Sequence, residues 1–217
     1  EPLLVEKGDV VMVKLSPMLD MASALNDLKH VRQVHVVAVN NECKELIILL
    51  KKPNEAGNCI DNEKTIVCEQ VVNNSASQHF SYTLSEEKNA VCTIADKMGM
   101  YLYEPGAALL KAGPYKLLSA RYGIGKLHPN SHLYTSAQAV DFPGRCFRVI
   151  AVSGFGKKEL KDFMKGVEKA NLTIRNFPSS VAELRKKLKL KEGGNLYLFA
   201  TTLADGEKVL IKCEKMV

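Results

Sequence analysis

The stretch "LYLFATTLADGEKVLIKC", residues 196–213, decides the fold of the C-terminal part of the chain. Residues 196–203 and 208–213 are apolar and rich in β-branched and aromatic side chains, which favours strands. Asp205-Gly206 lies between them and is a strong hairpin signal, because glycine accepts the positive φ that a tight turn requires. The stretch therefore predicts an antiparallel pair of strands.

The residues before this hairpin predict a small α/β unit. Its helices are indicated by apolar positions at helical spacing and by a serine that can cap the second helix. The predicted elements are a strand at 147–152, a helix at 157–170, a strand at 172–175, and a helix from Ser179 or Ser180 to about residue 190. With the hairpin, these elements form a unit of about 75 residues, which is large enough to fold.

The first third of the chain predicts a strand, a helix and two further strands. The nearly continuous apolar run "DVVMVKL", residues 9–15, is typical of a strand buried on both faces. Ser16-Pro17 then favours a helix start, with serine as the cap. Residues 33–39 and 45–50 predict strands joined by too short a connection for a crossover, so we expect them to be antiparallel neighbours.

The middle of the chain has a less regular pattern. It contains a polar turn with Pro53 and Gly57, and a polar loop at 73–78. The other predicted elements are a strand at 65–72, a short strand at 101–103, a helix opened by Pro105 and ended by Gly113-Pro114, and a short helix at 115–120.

Composition and charge indicate a globular protein with two modules. Of 217 residues, 46% are hydrophobic and 25% charged, and no apolar run is long enough to span a membrane. Residues 142–217 carry 16 Lys and Arg against 8 Asp and Glu, whereas residues 1–141 carry 14 against 16. This asymmetry predicts domains at 1–140 and 141–217, with the basic one facing an acidic partner. Alternatively, the basic charge only keeps the protein soluble.

Neither the cysteines nor the histidines form a recognisable metal or catalytic motif. The six cysteines are unclustered, which favours small buried groups in a reducing cytoplasm. His128 and His132 are four residues apart, but Pro129 disfavours the helix that would align them. Two glycine clusters, at 123–126 and 154–158, resemble pieces of phosphate loops, although flexible turns are the more economical explanation.

Several segments together resemble a bacterial family of class I SAM-dependent methyltransferases that ends in a THUMP-like domain. "VVMVKLSPMLD", "VHVVAVNNECKEL" and "YLYEPGAALLKAG" resemble its late catalytic strands and its middle segment. "FPGRCFRVIAV", "LTIRNFP", "ELRKKLKLKEGG" and "LYLFATTLADGEKVLIKCEK" resemble its terminal domain. The resemblance implies an α/β fold, in which the end of a Rossmann-like sheet (strand-helix-strand-strand) precedes a small THUMP-like domain.

The resemblance also implies SAM as the cofactor of the full-length parent. The Gly-rich turn and the acidic residue that hold SAM in this class are not visible in the chain, which resembles the C-terminal half of the family. We therefore expect a fragment that binds no cofactor and has no catalytic or metal residue of its own. The predicted function is a part of a methyltransferase acting on RNA. A non-catalytic module that binds RNA or protein, and a small-molecule methyltransferase, remain open.

Two groups of residues are candidates for binding. Strand ends of an open α/β sheet hold ligands, and aromatic side chains stack on bases. The substrate candidates are Lys14, Ser16, Pro17, Asn40, Asn41, Tyr103 and Glu104. The nucleic-acid candidates, which could contact phosphates or simply form a solvated face, are Arg175, Phe177, Arg185, Lys186, Lys187, Lys189 and Lys191. The sequence predicts no particular oligomeric state.

Overall fold

The computed structural model describes residues 2–52, 63–73 and 77–216, which form two compact units. The first comprises residues up to 90 together with 106–117, and the second comprises 91–105 and the residues from 118 onward. Most of the predicted turn at 51–57 and part of the predicted loop at 73–78 lie outside the described residues. The predicted domain boundary at residues 140 and 141 stays a prediction.

Helices are interspersed among the strands along the chain. As far as residue 90 the elements are α1 (Pro2–Lys7), β1 (Val10–Leu15), α2 (Met21–Asp27), β2 (Val31–Val39), β3 (Glu42–Lys51), β4 (Thr65–Val71), β5 (Gln78–Thr83) and α3 (Leu84–Asn89). They continue with β6 (Tyr101–Pro105), α4 (Ala107–Ala112), α5 (Tyr115–Tyr122), β7 (Gly125–Lys126), β8 (Tyr134–Ser136), β9 (Gly144–Ser153), α6 (Lys157–Phe163), β10 (Asn171–Arg175), α7 (Val181–Leu188), β11 (Leu196–Thr202) and β12 (Lys208–Lys215).

The first unit contains a five-stranded sheet in the order β1-β3-β2-β4-β5. β3 lies between β1 and β2 and is antiparallel to both, which confirms the predicted antiparallel neighbours. β1 and β2 therefore run in the same direction, and β4 is parallel to β2. As a result, β1, β2 and β4 all have their carboxyl ends at one edge of the sheet.

Two predictions for the first strand and helix were wrong in detail. β1 is not buried on both faces, because its residues alternate and Val10 and Met12 are 62% and 69% exposed. Helix α2 begins at Met21 with Asp20 as its cap, since Asp20 Oδ1 accepts a 2.8 Å hydrogen bond from the Ser23 N–H. Ser16 instead closes a turn by accepting a hydrogen bond from the N–H of Met18.

The second unit contains a seven-stranded sheet in the order β10-β11-β12-β9-β6-β8-β7. The predicted hairpin is confirmed, with Gly206 at φ 88° and Thr202 opposite Lys208. One core cluster includes Leu102, Phe147, Phe199 and Ile211. A second cluster packs α6 and α7 against the sheet through Phe163, Leu172, Leu184, Leu198 and Leu210.

Some elements differ from the predictions made from the sequence. β5 and α3 were not predicted, although α3 carries a full capping box formed by Thr83 and Glu86. α6 ends at Phe163 rather than at residue 170, since Met164 and Val167 pack against the core without continuing the helix. β7 lies within the glycine cluster at 123–126, for which the sequence favours a flexible turn.

Candidate functional site

The first candidate site lies at the carboxyl edge of the five-stranded sheet. Lys14 is near the end of β1 and forms a 2.9 Å ion pair with Glu45, in which both side chains are partly exposed. Ser16 and Pro17 follow directly and form a turn. Because β1 and β2 run in the same direction, this turn and the end of β2 lie at the same edge of the sheet.

Asn40 and Asn41 form the two-residue turn between β2 and β3. Their φ angles of 49° and 62° give a turn of the type that favours asparagine or glycine at both positions. Asn40 Oδ1 accepts a hydrogen bond from the Asn73 N–H, and Asn41 Oδ1 accepts one of 2.9 Å from the Ala107 N–H. Both amides thus hold neighbouring backbone in place. That they also shape a substrate pocket stays a prediction.

Tyr103 is buried inside the second unit and packs against Phe142. The Tyr103 hydroxyl lies 2.9 Å from Ser136 Oγ and accepts a 3.0 Å hydrogen bond from the Val140 N–H. Its ring centroid is 5.3 Å from that of Phe142. These contacts are those of a packed core residue, and stacking on a base would require this ring to leave its position. Substrate contact by Tyr103 stays a prediction.

Glu104 is a buried carboxylate held between two arginines. Its side chain is 1% exposed. Arg145, its neighbour in register on β9, donates to Glu104 Oε2 from Nε at 2.7 Å and again from Nη2. Arg175 Nη2 lies 2.7 Å from the other oxygen, Oε1. The two cations outnumber the one anion, so the cluster keeps one net positive charge, and both arginines remain partly exposed to solvent.

The positive potential extends to His132. The pKa of His132 is lowered to about 4, first by burial and then by the charges of Lys126 and Arg175. Lys126 is 4% exposed, and its ammonium donates a 2.6 Å hydrogen bond to the Pro129 carbonyl. The region around Arg175 is therefore electropositive, and a histidine within it stays neutral.

The basic side chains of α7 form a separate group. We define the α7 basic face as Lys186 and Lys187 at the end of α7 together with Lys189 and Lys191 just after it. Ser180 and Glu183 form a capping box at the N-terminus of α7, and Lys189 ends the helix at φ 52°. Arg185 lies 3.8 Å from a Glu192 carboxylate oxygen. Arg175 instead forms an ion pair with Glu104, so the predicted basic residues do not all share one group of contacts.

Phe177 is a partly buried ring beside α7. Its centroid is 5.0 Å from that of Phe155, and Lys187 Nζ is 5.5 Å from the centre of the Phe155 ring. A cation within about 6 Å of an aromatic ring is a typical cation–π arrangement. The predicted aromatic residue therefore packs against the same ring that Lys187 of the α7 basic face approaches.

Neither glycine cluster offers an anion site in the structure. Gly154 and Gly156 precede α6, and the carboxylate of Glu159 lies so close that a Cβ at Gly154 would be 2.9 Å from its Oε2. A phosphate would meet this carboxylate where a nucleotide loop presents N–H groups. Gly125 instead packs against Ala95, where an added Cβ would be 2.8 Å from the alanine Cβ. Flexible or tight turns explain both clusters.

Metal ligands and membrane-spanning helices are not found in the part of the chain that the structure describes. Within residues 2–52, 63–73 and 77–216, no group of three or more His, Cys, Asp or Glu side chains is arranged to hold a metal ion. Within the same ranges, no helix is long and apolar enough to cross a membrane. Cys68 and Cys213 are buried free thiols, and burial raises the pKa of each to about 12.

Arg145 and His128 were not predicted as site residues. Arg145 lies in an ordinary strand pattern, and its partner Glu104 is 41 residues earlier in the chain. His128 Nδ1 lies 3.0 Å from Asn176 Nδ2, and the two residues are 48 positions apart. Only their long-range contacts distinguish these residues, and no local motif could have indicated them.

Comparison with known proteins identifies two matching segments and one similar structure. Residues 144–215 match a family model described as THUMP domain-like, and residues 101–143 match one described as a ferredoxin-like domain. The sequence of the chain is 38% identical to that of a protein whose crystal structure is described as a "putative methyltransferase from Porphyromonas gingivalis W83". The two structures superpose with a TM-score of 0.87, and the match covers 100% of this chain. The chain spans 54% of that protein, and no curated protein matches it.

Proposed function

We propose that this chain functions within a SAM-dependent methyltransferase that acts on RNA. We propose further that the basic domain of the chain, residues 141–217, binds the phosphates of the RNA. One coincidence carries the proposal: the segment of strong positive charge is also the one similar to THUMP-like domains. Lysines and arginines bind phosphates without regard to sequence, so this contact positions the RNA and does not select it.

The residues that the structure describes do not fit a SAM site of the usual kind. Such a site needs a Gly-rich turn after a strand, with open N–H groups and an acidic residue nearby. Among the described residues, Gly154 and Gly156 stand between a strand and a helix, and Glu159 fills the space beside them. We therefore place the binding of the cofactor outside these residues.

RNA binding is tested by fluorescence anisotropy with a labelled oligouridine octamer over a series of salt concentrations. The test variant changes Lys186, Lys187 and Lys191 to Gln together. The matched control changes Lys7, Lys51 and Lys52, which are exposed, to Gln. Each lost phosphate contact should lower the slope of log affinity against log salt by about 0.7, so the test variant should lose about 2 in slope.

An equal loss in the two variants would show that net charge, and not the α7 basic face, attracts the RNA. A second measurement, by calorimetry, compares SAM binding to this chain and to the Porphyromonas gingivalis protein. Binding by that protein alone supports the proposal. Binding by this chain would contradict the placement of the cofactor outside its residues.

A non-catalytic RNA-binding module is the second candidate. The observation that favours this candidate is that the Glu159 carboxylate occupies the space beside Gly154 and Gly156. This glycine pair between a strand and a helix of the second unit therefore cannot hold a nucleotide phosphate. Transfer of a radioactive methyl group to RNA by the Porphyromonas gingivalis protein would exclude this candidate for that relative and weaken it for this chain.

A further inference from the structure

The two edges of the seven-stranded sheet approach each other. β7 and β10 are at opposite ends of the strand order, yet His128, just after β7, contacts Asn176, just after β10. An open groove of 680 Å³ forms where they meet. We call it the 128/176 groove; its lining includes His128, Asn176, Phe177, Pro178, Thr202 and Lys208.

The hydrogen bonds at His128 fix what its ring can offer. The Asn130 N–H donates to His128 Nδ1 at 2.9 Å, and a backbone N–H can only donate. Nδ1 is therefore an acceptor, and the proton of the neutral ring is on Nε2. Asn176 Nδ2 lies 3.0 Å from the same Nδ1 atom, so these two N–H groups share its single lone pair. His128 consequently presents an N–H donor, and not a lone pair, to a ligand in the groove.

Asn176 is held in an unusual backbone conformation at this position. Its φ is 49°, in the left-handed region that asparagine tolerates better than most residues. Thr202 Oγ1 donates a 2.8 Å hydrogen bond to the Asn176 carbonyl, which fixes the turn against β11. The groove wall is thus built by residues from three separate segments, two of which this hydrogen bond joins.

The described residues that line the groove carry positive charge only. The lining residues that the structure describes carry no carboxylate, and Lys208 contributes an exposed ammonium. Arg175 precedes Asn176 directly, and its cluster with Glu104 and Arg145 retains one positive charge. Phe177 and Pro178 add an apolar wall beside these donors. Hydrogen-bond donors beside an aromatic ring suit a nucleotide, whose phosphate accepts hydrogen bonds and whose base stacks on the ring.

We infer that the 128/176 groove binds one nucleotide of single-stranded RNA, with its phosphate between Lys208 and His128 and its base against Phe177. The inference rests on the proposed RNA binding and adds a contact that is distinct from the α7 basic face. Lys208 supplies the charge, His128 the directional donor, and Thr202 positions Asn176.

The test uses the same oligouridine octamer, now also prepared with a photoreactive 4-thiouridine. Lys208→Ala should lower the salt slope by about 0.7, the value for one phosphate contact on a single strand. The control is Lys215→Ala, an exposed lysine at the other end of the same strand. Cross-linking followed by mass spectrometry should label peptides that contain Phe177 or His128.

The outcomes separate the two proposals. If the unaltered chain does not bind the octamer, both the RNA function and the groove are overturned. If it binds but Lys208→Ala behaves like Lys215→Ala, or if cross-links occur only on α7, the groove alone is overturned. A reduced slope together with cross-links at Phe177 or His128 supports the groove.

Discussion

Arg175 Nη2 lies 2.7 Å from Glu104 Oε1, although three strands, β11, β12 and β9, separate their own strands in the sheet. Such a contact requires the sheet to curl, because neighbouring strands are about 4.8 Å apart. The contact between His128 and Asn176 has the same requirement. The second unit is therefore closed by polar side chains in addition to its apolar core.

Removing the Glu104 carboxylate should destabilise the protein. Glu104→Gln leaves Arg145 and Arg175 facing each other without an anion, and we expect a loss of about 3 kcal/mol in the free energy of unfolding. Glu45→Gln removes the exposed partner of Lys14 and should cost about 0.5 kcal/mol. Urea unfolding followed by circular dichroism compares the two variants. Equal losses would contradict a closing role for Glu104.

His132 should make stability depend on pH. Its pKa is lowered from 6.5 to about 4 in the folded protein, so the unfolded chain binds a proton first as the pH falls. The stabilisation is complete above pH 6.5 and is lost as the pH drops towards 4. Because the ring is only partly buried, we expect a change on the order of 1 kcal/mol.

His132→Asn provides the control for this effect. Asparagine tolerates the φ of 49° found at His132 and does not titrate. The unfolding free energies of the variant and the original protein, measured from pH 7 down to pH 4, should converge as the pH falls. A constant difference across this interval would show that His132 does not titrate as expected.

The capping box of α7 should contribute separately. Ser180→Ala removes the acceptor for the Glu183 N–H and should cost about 1 kcal/mol of stability. The hydrogen bond from the Ser180 N–H, followed by those from the Ser180 and Ser179 hydroxyls, lowers the pKa of the Glu183 carboxyl. The stabilisation from Glu183 is therefore present above the pKa of the unfolded chain and lost as the pH falls through the lowered folded value.

Glu183→Gln measures that dependence directly. Its stability should differ from that of the original protein at neutral pH, and the difference should shrink in acid. Nuclear magnetic resonance titration of Glu183 in the Ser180→Ala variant should show a higher carboxyl pKa than in the original protein. An unchanged pKa would mean that the cap does not hold the carboxylate.

The buried thiols should resist alkylation. Cys68 and Cys213 have pKa values raised to about 12 by burial, and the thiolate is the reactive form. Iodoacetamide at about pH 8, below the ordinary thiol pKa, should therefore leave both unmodified in the folded protein and modify both in denaturant, as read by mass spectrometry. Rapid labelling of either thiol without denaturant would contradict its buried position.

Local signals predicted much of the fold. The Asp205-Gly206 hairpin and the antiparallel pair at Asn40-Asn41 follow from turn chemistry within a few residues. β5 and α3 were missed because "QHFSYTLSEEKN" is short and largely polar, and its strand is defined by pairing with β4. The order of residue types along the chain gives no information about which strand pairs with β5.

The candidate site could be predicted only in part. The residues of the α7 basic face are visible in the sequence because they lie close together at the end of one helix and just after it. The partners of Glu104 are not, since one is 41 residues away and the other reaches it only through the curl of the sheet. Tyr103 was selected as a binding residue but is buried, because the sequence alone does not distinguish an aromatic residue of a packed core from one on a binding surface.

The position of β12 also determines when the protein can fold. β12 is the last strand in the described chain, yet it lies between β11 and β9 and joins β10 and β11 to the rest of the sheet. A ribosome must therefore release nearly all of the described chain before the second unit can assemble. Until then the carboxylate of Glu104 lacks part of its neutralising charge, and the emerging strands stay exposed to chaperones and proteases.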